Sequence, residues 1–184
     1  YAKKSVIEGL NYGANAKVIY RKVGEFANAW GFGLDAGAQY QKGTWKFGAV
    51  GRDITSTFNA WSFNTEKLED AFALTGNKIP ENSLEITLPK LFLAAGKQVR
   101  LSENFSLYPE LGLDFTFDRM RNVLIKSDPI SIDPHLGVEL GYAGFAYLRG
   151  GVGYIQKTTD FVGSKKTIAQ PNLGLGVKIK SIYI

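Results

Sequence analysis

Nearly every stretch of this chain alternates apolar and polar residues with a period of two. Between positions 31 and 50, Phe32, Leu34, Ala36, Ala38 and Tyr40 alternate with Gly33, Asp35, Gly37 and Gln39, and Trp45, Phe47 and Ala49 resume the pattern after Lys42-Gly43. Successive side chains of a strand point to opposite faces, so the pattern specifies a sheet with one oily face and one of glycine and polar residues. The first strand carries Leu10, Tyr12, Ala14, Ala16, Val18 and Tyr20 on its apolar face. Seven more follow at about 30–41, 44–54, 90–101, 105–117, 130–142, 146–156 and 171–180, and 181–184 begins a ninth.

Turn lengths set the expected register. A loop at Lys42-Gly43 pairs Tyr40 with Trp45 and Ala38 with Phe47. A loop at 102–104 pairs Val99 with Leu107 and Leu93 with Leu113, with Asn104 at the left-handed position such turns favour. A loop at 143–145 pairs Leu140 with Leu148, sets Glu139 beside Arg149 and assigns the left-handed position to Phe145. Pro109 lacks a ladder donor and marks a bulge. The connections at 42–43, 102–104, 143–145 and 180–181 are short, and those at 23–29, 55–89, 119–129 and 157–170 are long. This strict alternation gathers the short turns at one end, as in outer-membrane barrels.

Alternation alone does not say which face is outside. A soluble, lipocalin-like barrel would bury the oily one. Yet the polar face is rich in glycine (Gly31, Gly33, Gly37, Gly112, Gly137, Gly141), a poor choice for strands facing water. Aromatic residues also crowd strand ends: Tyr40, Trp45, Phe105 and Tyr142 near short turns, and Tyr20, Trp30, Phe32, Phe115, Phe117 and Tyr154 near long loops. Two girdles are what a barrel crossing two membrane interfaces requires. The expectation is a single-domain, all-β, transmembrane antiparallel β-barrel over 1–184, or an internal slice of a larger one, with lipid on its oily face.

A lumen-lining set follows from the polar face: Asp35, Arg52, Glu110, Asp114, Glu139 and Arg149. The simpler reading is a mutually neutralising network, because enclosed charges must be paired; the functional one is a selectivity lining. In the longest loop, Thr65 can cap a helix over EKLEDAFAL that Gly76 ends, with Leu68 and Phe72 on one face. That helix either packs over the rim or, with Trp61 and Phe63, forms a partner-docking loop.

Other chemistry finds little support. The chain has 184 residues, no cysteine and one histidine, so neither a thiolate site nor a metal-ligand cluster is expected, and no cofactor. Ser131, Asp133 and His135 stack along one face of one strand rather than converging as a catalytic triad would, so no enzyme is expected. The net charge of +5 is scattered, which gives no nucleic-acid footprint. Arg119, Arg121, Lys126, Lys157, Lys165 and Lys166 fall in the long loops, solvated or against anionic headgroups.

The runs AKVIYRKVGEFANAWGFGLDAGAQYQKGTWKFGAVGRDITSTFNAWSFN and SIDPHLGVELGYAGFAYLRGGVGY resemble the PorV/PorQ family of outer-membrane proteins, a branch of the FadL-like barrels. The likeness covers most of the chain as texture and hairpin motifs. It implies a bacterial outer-membrane barrel of about fourteen strands, of which this chain would be an internal part. It also implies one of two roles: partner of a type IX-like secretion translocon or its cargo, or passive transport of hydrophobic small molecules. No binding residue carries over from the family position by position.

Overall fold

The computed structural model describes residues 1–184 apart from 67–68, 70–71, 73–82, 162, 180–181 and 184. The strands are β1 (Ala2–Lys4), β2 (Leu10–Val23), β3 (Ala27–Lys42), β4 (Trp45–Arg52), β5 (Thr57–Phe63), β6 (Ser83–Thr87) and β7 (Lys90–Lys97). There follow β8 (Val99–Arg100), β9 (Phe105–Thr116), β10 (Ser131–Tyr142), β11 (Ala146–Thr159), β12 (Lys165–Ile179) and β13 (Ile182–Tyr183). All pair antiparallel in the order β1-β2-β3-β4-β7-β9-β10-β11-β12-β13, so the sheet is a meander between sequence neighbours. Among the described residues no strand joins β1 or β2 to β12 or β13, and the ring is not closed.

Four short strands are halves of two long ones. β4 and β5 both run along β3, interrupted at 53–56, and β6 and β7 return beside them, interrupted at 88–89. The expected loop at 55–89 therefore contains strand at both ends. The sequence signal for β6 was clean, since Leu84, Ile86 and Leu88 alternate with Ser83, Glu85 and Thr87. That for β5 was not. Between Ala36 opposite Gly51 and Phe32 opposite Phe58, β4–β5 gains three residues over β3, an odd number that flips which parity faces inward. Thr57, Asn59, Trp61 and Phe63 then share the polar face while Phe58 and Ala60 take the oily one.

Several expected details move. The tight turn is Gly43-Thr44, with Gly43 at φ 59°, so Tyr40 faces Phe47 and Ala38 faces Ala49. A slip of two residues keeps every side chain on its expected face. The pairs Val99–Leu107, Leu93–Leu113, Leu140–Leu148 and Glu139–Arg149 stand as read. Asn104 and Phe145 are not left-handed; Ala143 and Gly144 are. Pro109 makes no bulge: the register either side of it, Gly96 opposite Glu110 and Val99 opposite Leu107, is continuous, and only the rung near Gln98 is lost. The connection expected at 23–29 shrinks to 24–26, so the alternation of short and long loops fails there. Glu66, Glu69 and Phe72 are helical as expected, and Thr65, expected as the cap before them, is itself helical; Leu68 and the expected stop at Gly76 lie outside the described residues.

The sheet curls with its polar face inward. Asn11 of β2 and Asn172 of β12, near opposite ends of the strand order, border one cavity of about 800 Å³. Few side chains are buried, and hydrophobic ones do not lead among them. Ala27 and Ala29 are the only buried hydrophobic residues among those described, whereas Trp30 is 59% exposed, Leu136 58% and Leu173 89%. Asn59 and Ser131, both fully buried, are polar.

Candidate functional site

The concave face explains its own glycines. A Cβ at Gly112 would overlap the His135 imidazole, and one at Gly96 the Tyr108 phenol. At Gly33 it would meet Thr57 and Lys17, and at Gly31 it would overlap Asn59. His135, Tyr108, Thr57 and Asn59 thus each lie across a glycine of the neighbouring strand. Curling a sheet crowds its inner face, and removing alternate side chains gives the remainder room.

All six expected lining residues sit on this face by register, but they pair less with one another than expected. Glu139 and Arg149 do meet: Arg149 Nε donates to Glu139 Oε2 at 2.6 Å, and the guanidinium lies 3.3 Å or more from the space above Gly176. Asp35 pairs instead with Lys17, whose Nζ donates to Asp35 Oδ1 at 2.7 Å and Asp53 Oδ1 at 2.6 Å. The Asp53 amide also donates to Asp35 Oδ1, and the Thr57 hydroxyl donates to Asp53. This cluster pins the interruption between β4 and β5, where Asp53 and Ser56 have left-handed backbone (φ 53° and 57°). Asp53, outside the expected set, is its centre. Arg52 lies 6.0 Å from the Phe92 ring centroid, a cation–π distance. Asp114 stands 3.6 Å from His135 Nδ1 and opposite Asp133 in register. Glu110 borders the cavity with Gln39, Tyr108, Asp133 and His135.

Ser131 is not available as a nucleophile beside His135. Its hydroxyl donates to the Arg119 carbonyl and accepts from the Arg121 amide, both at 3.0 Å, tethering the loop between β9 and β10. Among the described residues no group of three or more His, Asp or Glu side chains is placed to hold a metal.

At the end of the sheet opposite the Gly43-Thr44 and Ala143-Gly144 turns, a second set gathers. Trp61 and Phe63 stack with centroids 6.2 Å apart and, with Phe72, line an apolar groove of about 580 Å³. The structure thus brings three of the four expected docking residues together. Trp61 and Phe63 do so from a strand rather than a loop. Trp61 Nε1 donates to Glu85 Oε2 at 2.9 Å, and Arg21 NH1 reaches the same carboxylate at 3.2 Å. Arg21 is on β2 and Glu85 on β6, so this bridge passes over the inward residues of β3 and β5 between them. Opposite Glu85 in register is Asn59, whose Oδ1 and Nδ2 meet no hydrogen-bond partner in the structure. Each such buried group costs about 1–3 kcal/mol.

On the convex face the aromatic residues form bands. Tyr20 and Trp30 lie 4.7 Å apart at one end; Phe105 and Tyr142 (5.0 Å), Tyr142 and Phe145 (5.7 Å), and Trp45 and Phe47 (6.0 Å) mark the other. Between them run Leu93, Leu111, Leu136, Val138 and Leu148, all exposed. No protein-family model matches this sequence, and neither a curated protein nor a solved structure does.

Proposed function

We propose that this chain forms wall of a bacterial outer-membrane β-barrel that works as a non-enzymatic partner of a type IX-like secretion machinery. One observation carries the membrane part: the convex, exposed face is apolar and banded by aromatic residues, while polar side chains and ion pairs fill the concave one. From Ile132 to Tyr142 on β10 is ten residues, about 33 Å at ~3.3 Å per residue, or about 25 Å after a ~40° tilt. That is the height of a barrel's apolar belt. A soluble ligand-binding barrel would need the opposite curl.

The secretion role rests on the resemblance to the PorV/PorQ family, and the groove of Trp61, Phe63 and Phe72 is the partner surface it suggests. A FadL-like transporter of hydrophobic solutes is the second reading. It is favoured by Val50 and Phe92, which face each other on the inner wall as an apolar patch.

The test is electrophoretic mobility, cold and boiled, of the full-length protein from its native membrane fraction. A band that needs detergent and shifts on boiling supports the barrel; a soluble, unshifting protein overturns it. From the same preparation, a Trp61→Asp, Phe72→Asp variant should keep the heat shift and lose its companion proteins. If the companions stay, the docking surface is elsewhere.

A further inference from the structure

We propose that the convex face holds one anionic phospholipid at a fixed place, its headgroup between Lys42 and Lys97 and an acyl chain in the groove beside them. The site rests on the membrane reading of that face and adds which lipid it selects, and where. Register lays the residues out as a grid over β3, β4 and β7. Lys42, Trp45 and Lys97 share the rung at the short-turn end. Tyr40, Phe47 and Ala95 form the next rung along the strands, and Ala38, Ala49 and Leu93 the one after. By parity all of them belong to the oily face.

The first rung puts two cations on a face that is otherwise apolar. Lys97 breaks the run of Leu91, Leu93 and Ala95, and its Nζ leans over the neighbouring strand to 5.2 Å from the Trp45 ring centroid. Neighbouring strands lie about 4.8 Å apart, so the two lysine Cα atoms stand about 10 Å apart with the indole between them. Their long stems let both ammonium groups converge on one phosphate. Ion pairs among the described residues engage Lys17, Arg21, Arg121, His135, Arg149 and Lys166, and neither of these two lysines. Past β7 the outward residues at this end are apolar again, with Leu101, Phe105 and Tyr142, so lysine does not ring the wall.

Room for a chain adjoins the cations. A groove of about 390 Å³ begins at Tyr40 and Phe47, crosses Ala38, Ala49 and Ala95, and is closed on its far side by Leu93, Leu111 and Leu113. Rungs are about 7 Å apart, so the groove leads from headgroup depth into the apolar belt. Trp45 and Phe47 stack at 6.0 Å and Phe47 and Tyr40 at 6.5 Å, an aromatic wall running from the cations to the groove. Lysines reaching for headgroups in general would need no groove continuing from them. Positive charge followed by an apolar channel is the order in which an anionic phospholipid presents its phosphate and its chain.

Trp45 reports the occupant directly, because it stands between the lysines. The full-length protein, with phenylalanine at every tryptophan but Trp45 (Trp30→Phe and Trp61→Phe included), is refolded into phosphatidylcholine vesicles. Brominated phosphatidylglycerol or brominated phosphatidylcholine is the quencher, at equal mole fraction. The anionic lipid should quench with an apparent affinity about threefold or more above that of the zwitterionic one. Lys42→Gln with Lys97→Gln should bring that ratio close to one, whereas Lys165→Gln, at the far end of β12, should leave it unchanged. Ala49→Leu fills the groove without altering charge and should lower the ratio; an unchanged ratio there refutes the acyl part of the site. Equal quenching by the two lipids in the parent refutes the site and leaves the membrane wall standing. No quenching by either overturns both. If the single-tryptophan protein does not refold, native mass spectrometry of the parent from mixed micelles decides: it should retain phosphatidylglycerol over phosphatidylcholine and lose that preference in the double lysine variant, and equal retention refutes the site.

Discussion

Replacing Leu136 by arginine separates a membrane wall from a sheet in water more sharply than any other single change. Leu136 lies on the oily face of β10 and is 58% exposed. From Tyr142 in the lower aromatic band it is six residues away, about 20 Å along the strand at ~3.3 Å per residue, or about 15 Å along the membrane normal after a ~40° tilt. Ile132 at the other end is about 10 Å off by the same arithmetic. Leu136 thus sits close to the midplane of a belt about 25 Å tall. There an arginine costs about 2–4 kcal/mol, whereas Tyr142→Arg, at the interface, costs about 0–1 kcal/mol. In water, the same exposed leucine could be replaced for about 0.5 kcal/mol or less. The assay is reversible guanidinium unfolding of the full-length protein refolded into phospholipid vesicles, followed by tryptophan fluorescence. Equal unfolding free energies for Leu136→Arg, Tyr142→Arg and wild type would show that the convex face does not meet lipid.

Three further outcomes are expected. Lys17→Met should destabilise the fold by about 2 kcal/mol, somewhat less than the 3–5 kcal/mol of a fully buried pair, because the three side chains keep 13–23% exposure. Adding Asp35→Asn and Asp53→Asn should restore most of that loss in thermal unfolding, and a triple variant weaker than the single would contradict the charge argument. Gly112→Val must displace His135 and should cost about 1–3 kcal/mol by the same measurement; an unchanged midpoint would mean His135 does not rest on that glycine. Arg149→Ala should destabilise more than Lys165→Ala, by about 0.5–1 kcal/mol, because Arg149 holds Glu139 and is itself half-exposed. Equal unfolding midpoints for the two would count against that pairing.

Much of the wall was legible because its information is local. Period-2 alternation assigned each of Asp35, Arg52, Glu110, Asp114, Glu139 and Arg149 to the inner face, and the turn at 143–145 placed Glu139 beside Arg149. An error of two residues at Gly43-Thr44 did no harm, since faces depend only on parity. The stretch Thr57–Phe63 was missed for the same reason. Its inward Trp61 and Phe63 follow its outward Phe58 and Ala60, so both faces look apolar and the alternation vanishes. The aromatic pair reads as loop until the interruption at 53–56 is known.

The amino-acid sequence by itself determined the eight long strands, their two faces and the positions of the aromatic bands, because backbone geometry ties each of these to neighbours a few residues away. Only the tertiary structure decided which charges meet. Lys17 reaches Asp53 over Gly33 of β3, and Arg21 reaches Glu85 across Ala29 and Gly31 of β3 and Asn59 and Trp61 of β5. Those encounters depend on the curl of the sheet and on three extra residues between β4 and β5. Both are set by how strands pair over long separations, to which a local periodicity is blind.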